Sequence, residues 1–170
     1  MIDAHLIGDK ILSSSADAFS FNDRSRLGEK KEENIEFTFI EALFLLSEKK
    51  MILYSNKKII SFHDLIKIAK KQDKRIQIKF TIYKDLRRKG YIVKTALKFG
   101  ADFRVYEKGI KPGEDHAKWI LFAAKEQENL SWQDFAAKNR IAHSTKKDLL
   151  LGIVDEEDDV SYYQVSWIRT

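Results

Sequence analysis

The sequence feature that most limits the possible folds is a change of pattern at Tyr91. From that point, short runs rich in aromatic and β-branched residues follow one another, at residues 91–93, 103–106, 119–123 and 149–154. Gly100 lies between the first two runs, and two such runs separated by a glycine-containing turn predict paired β-strands. The second half of the chain is therefore predicted to form a sheet.

Other elements of this half follow from turn and capping residues. Ser131 is predicted to cap a helix that runs through Lys138. The side chains expected on the buried face of that helix are Trp132, Phe135 and Ala136. Three further segments are predicted from composition: a loop at residues 111–115, an acidic turn at residues 155–159 and a final alternating strand at residues 160–168.

The first half of the chain predicts a smaller α/β unit. Its first twenty-odd residues, including residues 19–21, are interpreted as short strands and turns, and the polar segment 22–34 as a surface loop. Thr38 is expected to cap a helix, with Glu41 three residues later completing a capping box.

Two more helices and a strand complete the predicted first half. A short strand is expected at residues 52–54, and Ser61 is expected to cap the helix that follows it. A third helix is predicted over residues 75–88, because cations at a helix end followed by Gly90 are typical of a helix C-terminus. The first half of this segment alternates between apolar and polar residues, so a strand is the alternative there.

Composition narrows the classes of function. The chain has 170 residues, of which 34% are charged, and a net charge of +5. A basic excess favours a polyanionic partner such as RNA, although many proteins carry this charge without binding nucleic acid. The absence of cysteine excludes disulfides and thiolate metal sites and fits a cytoplasmic location. No apolar run approaches the ~18 residues of a membrane span, and the first residues do not resemble a signal peptide.

Three side chains in or beside the predicted strands could act together in catalysis: Tyr106, His116 and Lys147. Cleavage of RNA without a metal needs a group that takes the 2′-hydroxyl proton, a group that protonates the leaving 5′-oxygen, and a cation near the phosphate. Histidine transfers protons at neutral pH and lysine supplies a point charge. Taken singly, each residue is more often structural or solvated, and His143 competes with His116 for the histidine role.

Metal chemistry is disfavoured, because the four histidines are scattered without the spacing of metal ligands. The acidic turn, Asp155, Glu156, Glu157, Asp158 and Asp159, is interpreted as a solvated hairpin tip or, alternatively, as a segment that enters a basic pocket on another copy of the chain. The aromatic final strand needs a partner or protection if it lies at a sheet edge, which also allows self-association.

Three segments resemble the archaeal tRNA-splicing endonuclease (tRNA-intron endonuclease) family: FTFIEALFLL, YKDLRRKGYIVKTALKFGADFRVYEKG and RIAHSTKKDLLLGIVDEEDDVSYYQVSW. The resemblance covers most of the chain and is weak before Ile35. It implies that Tyr106 takes the 2′-hydroxyl proton, His116 protonates the leaving oxygen and Lys147 stabilises the transition state. The implied products are a 2′,3′-cyclic phosphate and a 5′-hydroxyl, with no cofactor and no metal.

The resemblance also implies a fold, a substrate and an assembly. The expected fold is α+β: a small N-terminal α/β domain at residues 1–82, followed by a C-terminal nuclease-like α/β domain with a mixed sheet at residues 83–170. The substrate is precursor tRNA with a bulge-helix-bulge shape, and Arg140 and Trp167 are the residues implied to hold its bases. The acidic turn, Tyr163 and Val165 are implied to contact other subunits of a homotetramer, or of a heterotetramer with a second subunit.

Three positions depart from the family pattern. Thr145 stands where valine is usual, and Trp167 stands near a second base-clamping arginine. Asp148 follows Lys147, but adjacent side chains of a strand point to opposite faces, so the two are not expected to pair.

Taken together, the residues and the resemblance predict a metal-independent tRNA-intron endonuclease. The alternatives are a non-catalytic structural subunit of a mixed splicing endonuclease and a general RNA-binding module.

Overall fold

A computed structural model describes residues 1–110, 113 and 116–170 of the chain. These residues form two compact units, Met1–Phe80 and Thr81–Thr170. The domain boundary predicted from the sequence, between residues 82 and 83, stays a prediction. Most of the predicted loop at residues 111–115 lies outside the described residues.

The first unit, all of which is described, contains one mixed sheet and three complete helices. Its elements are β1 (Ile2–Ile7), β2 (Lys10–Ser13), α1 (Ala16–Ser25), β3 (Glu29–Lys31), β4 (Asn34–Phe37), α2 (Phe39–Ser47), β5 (Met51–Ser55), β6 (Lys58–Ile60) and α3 (Phe62–Gln72). The strand order is β3-β4-β2-β1-β5-β6. Strands β1 and β5 are parallel and the other pairs are antiparallel.

One face of this sheet forms the core of the first unit, because apolar residues alternate along its strands. Ile2 and Ala4 of β1 are completely buried, as are Ile11 of β2 and Leu53 of β5. Helices α1 and α2 pack on these strands. The alternation of apolar and polar residues along the strands therefore gives the sheet one buried face and one more exposed face.

The capping box of α2 is confirmed. Thr38 Oγ1 accepts from Glu41 N, and Glu41 Oε2 accepts from Thr38 N at 3.0 Å. The buried Glu41 carboxylate also accepts from Gly28 N at 3.0 Å. A Cβ on Gly28 would lie 2.3 Å from Ile35 Cγ2, and the φ of Gly28 is +75°, so only glycine fits there without strain.

Two predictions for the first unit are wrong. Residues 19–21 belong to helix α1, because Ser15 Oγ accepts from Ala18 N at 3.2 Å and starts the helix upstream of them. The segment 22–34 is not a loop: it contains the end of α1, strand β3 and the start of β4. The polar and charged residues of this segment indicated a loop. In the structure, the charged β3 pairs with β4 and forms an edge strand of the sheet.

The second unit contains a mixed sheet with a helix on each face. Its described elements are α4 (Ile76–Arg88, which begins in the first unit), β7 (Ile92–Thr95), a 3₁₀ turn (Leu97–Phe99), β8 (Phe103–Tyr106), β9 (Trp119–Lys125), α5 (Trp132–Ser144), β10 (Asp148–Val154) and β11 (Val160–Val165). The order of these strands is β11-β10-β9-β8-β7. Strands β9 and β10 are parallel, and α5 connects them. The predicted α+β fold with mixed sheets is confirmed.

The two faces of this second sheet bury different helices. On one face, Tyr83 of α4 packs against Phe103 with ring centroids 5.7 Å apart. Gly152 of β10 lies under α4 as well, since a Cβ there would be 2.8 Å from Ile82 Cδ1. On the other face, Ala142 of α5 joins a buried apolar cluster with Ile120 and Leu149.

A polar network fastens the edge strand β11 to α4. Tyr162 Oη donates to Asp85 Oδ2 at 2.7 Å, and Lys89 Nζ lies 2.7 Å from the same oxygen. The Lys89 ammonium also lies 5.1 Å from the centroid of the Tyr162 ring. Burial and then the hydrogen bond to Asp85 raise the pKa of Tyr162 well above its ordinary value. The phenol therefore stays a neutral donor to the carboxylate.

Details of the second unit differ from the prediction at two elements. Helix α5 continues six residues beyond Lys138, and the prediction of a buried face with Trp132 and Ala136 is wrong, because Trp132 is 84% exposed and Ala136 is also exposed. Phe135 is half-buried. The final strand ends at Val165, three residues earlier than predicted. Among the described residues, none of the helices is long and apolar enough to cross a lipid bilayer.

Replacing the buried carboxylate tests the first unit. We expect Glu41→Ala to lower the free energy of unfolding by about 2 to 4 kcal/mol, because the backbone N–H groups of Gly28 and Thr38 lose their acceptor. Urea unfolding measures the difference. The control is Glu32→Ala, which removes an exposed carboxylate from the same unit. A loss below about 0.5 kcal/mol for Glu41→Ala would contradict this account, because surface substitutions fall in that range.

Candidate active site

Strand register brings three predicted residues to one end of the second sheet. Val105 of β8 is opposite Trp119, the first residue of β9, and Trp119 is opposite Asp148, the first residue of β10. The carboxyl end of β8 and the amino ends of β9 and β10 therefore lie side by side. Tyr106 ends β8, and Lys147 immediately precedes β10.

The third residue, His116, lies three positions before β9 and is exposed. Backbone hydrogen bonds continue the ladder just beyond the strands and tie this end together. Lys118 N donates to Val105 O at 3.0 Å, and Asp148 N donates to Lys118 O at 3.0 Å. The segments that carry the three predicted residues are thus fixed to one another by main-chain bonds.

The three side chains differ in exposure. Tyr106 is only 5% exposed, His116 is exposed and Lys147 is half-buried. Tyr106 belongs to the sheet face that α5 covers, because it is two residues from Arg104, which pairs with Ile120 of the α5-side core. A buried phenol and a half-buried ammonium therefore lie at the same end of this sheet.

A tight turn after α5 places two consecutive lysines, Lys146 and Lys147, in different environments. Lys146 has a φ of 55°, in the left-handed region, and its N–H donates to His143 O at 2.9 Å. Lys147 N donates to Ala142 O at 2.9 Å, and Lys147 Nζ donates to Thr145 O at 2.8 Å. Lys146 is exposed, whereas Lys147 is directed back against the end of the helix.

The environment of Lys147 disfavours its positive charge. Burial lowers the pKa of Lys147 below its ordinary value, and the positive charge of Arg104 lowers the pKa further. Arg104 is in the middle of β8, two residues before Tyr106. An ammonium that is partly desolvated and close to another cation gains strongly when an anion binds.

A pocket of about 300 Å³ opens beside Lys147. Its lining includes Lys118, His143, Lys146 and Trp167. The rings of His143 and Trp167 lie 4.5 Å apart between centroids, at an angle of 42°. The Asp148 carboxylate also lines this cavity, and Lys118 is paired with Glu107. The remaining lysines and the two rings are of the types that bind phosphates and stack on bases.

Two of the family departures have local explanations. The Asp148 carboxylate accepts from Gln164 Nε2 and Ser166 Oγ, each at 3.0 Å, so its described hydrogen bonds lead towards the end of β11. The predicted lack of pairing with Lys147 agrees with these bonds, although Lys147 lies before the strand and not on it. The Thr145 hydroxyl donates to the carbonyls of Ile141 and Ala142 and helps to close α5.

The residues predicted to bind RNA bases lie on two segments. Arg140 is exposed on α5, three positions before His143, so the two share one side of the helix. Trp167 is 58% exposed and contacts His143. Arg140 is not among the described residues that line the pocket. The contact between His143 and Trp167 was not predicted from the sequence, because the two residues are far apart in the chain and belong to no common motif.

The residues predicted to contact other subunits lie on the hairpin of β10 and β11. Asp155 Oδ1 accepts from the N–H groups of Glu157 and Asp159 at 2.9 Å, which shapes the acidic turn. Strand β11 is the edge of the sheet, where Tyr163 is 58% exposed and Val165 is half-buried. Within the part of the chain that the structure describes, no three His, Asp or Glu residues group together as metal ligands.

Comparison with known families agrees with this geometry. The family model described as "tRNA intron endonuclease, catalytic C-terminal domain" matches residues 76–162, and the model of the N-terminal domain of the same family matches residues 2–66. Together they span most of the chain. The chain belongs to the tRNA intron endonuclease family. The predicted family and the predicted enzyme class are thereby confirmed.

Full-length relatives support this membership. The tRNA-splicing endonuclease of Pyrococcus furiosus is 37% identical over 170 residues, covering 99% of this chain and 98% of the relative. The protein of the same name from Pyrococcus horikoshii is 39% identical over 170 residues, with 99% and 97% covered. That of Nanoarchaeum equitans is 43% identical over 138 residues, with 78% and 88% covered.

Because the folded protein disfavours the ammonium of Lys147, removing this charge is predicted to change stability in a pH-dependent way. Because the pKa of Lys147 is lower in the folded protein than its ordinary 10.5, its charge destabilises the fold below that folded pKa. Above 10.5 the side chain is neutral in both the folded and the unfolded state, and the effect disappears. We expect Lys147→Gln to be at least as stable as the parent protein at pH 7, with an advantage that shrinks as the pH rises towards 10.5.

Chemical unfolding of both proteins across this pH range measures that advantage. Lys146→Gln is the control, since it removes an exposed charge one residue away. A stability difference for Lys147→Gln that grows with pH would show that the folded protein favours the ammonium.

Proposed function

We propose that this chain excises introns from precursor tRNA by metal-independent cleavage of the RNA strand. The observation that carries the proposal is the position of Tyr106, His116 and Lys147 at one end of a sheet, within the residues that match a catalytic endonuclease domain. The relatives that match nearly the whole chain are named tRNA-splicing endonucleases.

The proposed reaction is an internal transesterification. The phenolate oxygen of Tyr106 takes the proton of the 2′-hydroxyl next to the scissile phosphate and becomes a phenol, and the 2′-oxygen forms a bond to phosphorus. The bond between phosphorus and the 5′-oxygen breaks, and His116 donates a proton to that oxygen. The products are a 2′,3′-cyclic phosphate and a 5′-hydroxyl, so all atoms and protons are accounted for without water or a metal.

Lys147 stabilises the charge that develops on the phosphate oxygens. Its half-buried position supports this role, because a cation acts more strongly where water is partly excluded. In this assignment, Lys146 remains an exposed neighbour outside the reaction.

The proposed substrate has a bulge-helix-bulge shape, in which bases splay out of the helix at each junction. Arg140 and Trp167 are proposed to hold such bases. Arg140 shares a side of α5 with His143, which contacts Trp167, so all three lie near one another. A tryptophan stacks on a base of any sequence, which suits recognition by shape.

The proposed assembly is an oligomer, either a homotetramer or a heterotetramer with a second subunit. The acidic turn at residues 155–159 contributes to the interface by charge, and the edge strand contributes through Tyr163 and Val165. An exposed aromatic side chain on an unpaired edge is a typical site for strand pairing between subunits. The proposed location is the cytoplasm.

Two alternatives remain distinct proposals. In a mixed splicing endonuclease the chain would be a non-catalytic structural subunit, and as a general RNA-binding module it would hold RNA without cutting it. The position of all three candidate residues at one sheet end favours catalysis over both.

Cleavage of an intron-containing precursor tRNA in EDTA tests the function. We expect the purified chain to cut at both junctions and to leave 2′,3′-cyclic phosphate ends. Lys147→Ala should fold and lose at least about 100-fold in rate, because removing one group that stabilises transition-state charge costs this much. Lys125→Ala is the control, because Lys125 is exposed at the far end of β9 and does not line the pocket, and this variant should stay within about threefold of the parent.

Three outcomes would contradict the proposal in different ways. Cleavage that needs an added divalent metal would refute metal independence. An active, folded Lys147→Ala would refute the lysine assignment. Binding without cleavage, restored by a partner subunit that carries its own catalytic residues, would identify a structural subunit.

Base stacking predicts a difference between two exposed tryptophans. We expect Trp167→Ala to weaken binding of a non-cleavable precursor, with 2′-deoxy sugars at both junctions, by roughly 5- to 100-fold, the range for loss of one base–aromatic stack. Trp132→Ala is the matched control, because Trp132 is exposed on the same unit but does not line the pocket described here. Equal losses for the two variants, measured by filter binding, would refute the role of Trp167.

A further inference from the structure

Arg104 has no role in the reaction described so far, yet it lies on the face of the sheet where the reaction is proposed. It pairs with Ile120 of β9, and Ile120 pairs with Leu149 of β10. Paired residues share a face, so Arg104 is on the side covered by α5. Tyr106, two residues later on β8, is on that face as well.

Arg104 is half-buried, and one nitrogen of its guanidinium lacks a hydrogen-bond partner among the described residues. Its carbon Cζ lies 5.7 Å from the centroid of the Phe99 ring, and its Nε is buried without a hydrogen-bond partner in the described part of the chain. A buried N–H without an acceptor is costly, and the cost is greater for a charged group. A contact with one ring replaces only part of the lost hydration.

Arg104 also lies close enough to Lys147 for its charge to disfavour the ammonium. The described hydrogen bond of Lys147 goes to the carbonyl of Thr145, which carries no net charge. Two neighbouring cations, with no carboxylate bonded to either in the described residues, raise the electrostatic energy of the free protein. An anion bound to both side chains would offset the repulsion between them.

We propose that Arg104 is a second phosphate-binding residue of the active site, which together with Lys147 holds the scissile phosphate of the RNA. This inference rests on the proposed function. A phosphodiester carries one negative charge, and the transition state of transesterification carries about two on its phosphoryl oxygens. Two cations therefore match the transition state better than the ground state, and their effect falls mainly on the rate.

The experiment compares three variants of the full chain. Arg104→Gln removes the charge and keeps a polar side chain, whereas Arg104→Lys keeps the charge. Lys125→Gln is the control, because it removes an exposed charge at the far end of β9 from the site. Thermal unfolding first establishes that each variant folds.

Two readouts separate a direct role from a structural one. The first is the cleavage rate at saturating precursor tRNA, together with the affinity for the 2′-deoxy precursor. The second is the pKa of Lys147, followed by NMR of ¹³C-labelled lysine with Lys147→Gln as the assignment control. The parent protein is also titrated with inorganic phosphate, which reports on the anion site without RNA.

For Arg104→Gln we expect a rate loss of roughly 10- to 100-fold, the loss typical of one charged hydrogen bond, with a smaller change in affinity. The pKa of Lys147 should rise, since a repelling neighbour is gone. Arg104→Lys should recover part of the rate, and Lys125→Gln should change neither quantity. In the parent protein, phosphate should also raise the pKa of Lys147.

The proposal is overturned if folded Arg104→Gln cleaves within about threefold of the parent, or if its Lys147 pKa does not move. If Arg104→Gln does not fold, the phosphate titration of the parent decides, and an unchanged Lys147 pKa overturns the anion site. If the parent protein cuts no precursor, the proposed function fails. The NMR readouts then still decide whether phosphate binds beside Lys147 and whether Arg104 lowers the pKa of Lys147.

Discussion

The second unit depends on the parallel pairing of β9 and β10. Parallel neighbours need a crossover, and α5 provides it, so the end of α5 and the start of β10 come directly beside the start of β9. Strand β8 runs antiparallel to β9 and therefore finishes where β9 begins. This register places Tyr106, His116 and Lys147 at one end of the sheet, although more than 40 residues separate the first from the last. A one-residue slip of β8 would turn Tyr106 to the other face.

Several energetically unfavourable features lie at this end of the sheet. Lys147 is half-buried, its charge is opposed by Arg104, and the turn before it holds Lys146 in a left-handed conformation. Elsewhere, polar groups are better compensated: Glu41 is buried but accepts three hydrogen bonds, and Tyr162 is bonded to Asp85. Sites that must stabilise developing charge are often poorly compensated before the ligand binds, because the compensation comes from the ligand. The opposed charges of Lys147 and Arg104 at one sheet end thus agree with a phosphate-directed function.

Prediction from the sequence succeeded where one local signal dominates. The caps at Thr38, Ser61 and Ser131 start helices as expected, because each side chain bonds a nearby backbone N–H whatever the rest of the fold does. It failed where local signals were weak or ambiguous. Residues 19–21 look strand-like but follow an N-cap, and α5 continues past Lys138 because no glycine or proline stops it before the left-handed turn.

The sequence by itself determined the fold class, most of the elements and, through its motifs, the family. These depend on periodicity, caps and segments of related sequence, all of which are local. Only the tertiary structure decided which side chains influence one another: the charge of Arg104 acts on Lys147, and His143 contacts Trp167. Such pairs join residues far apart in the chain. Their meeting depends on strand order and register, which arise from burial of the whole sheet and not from the residues themselves.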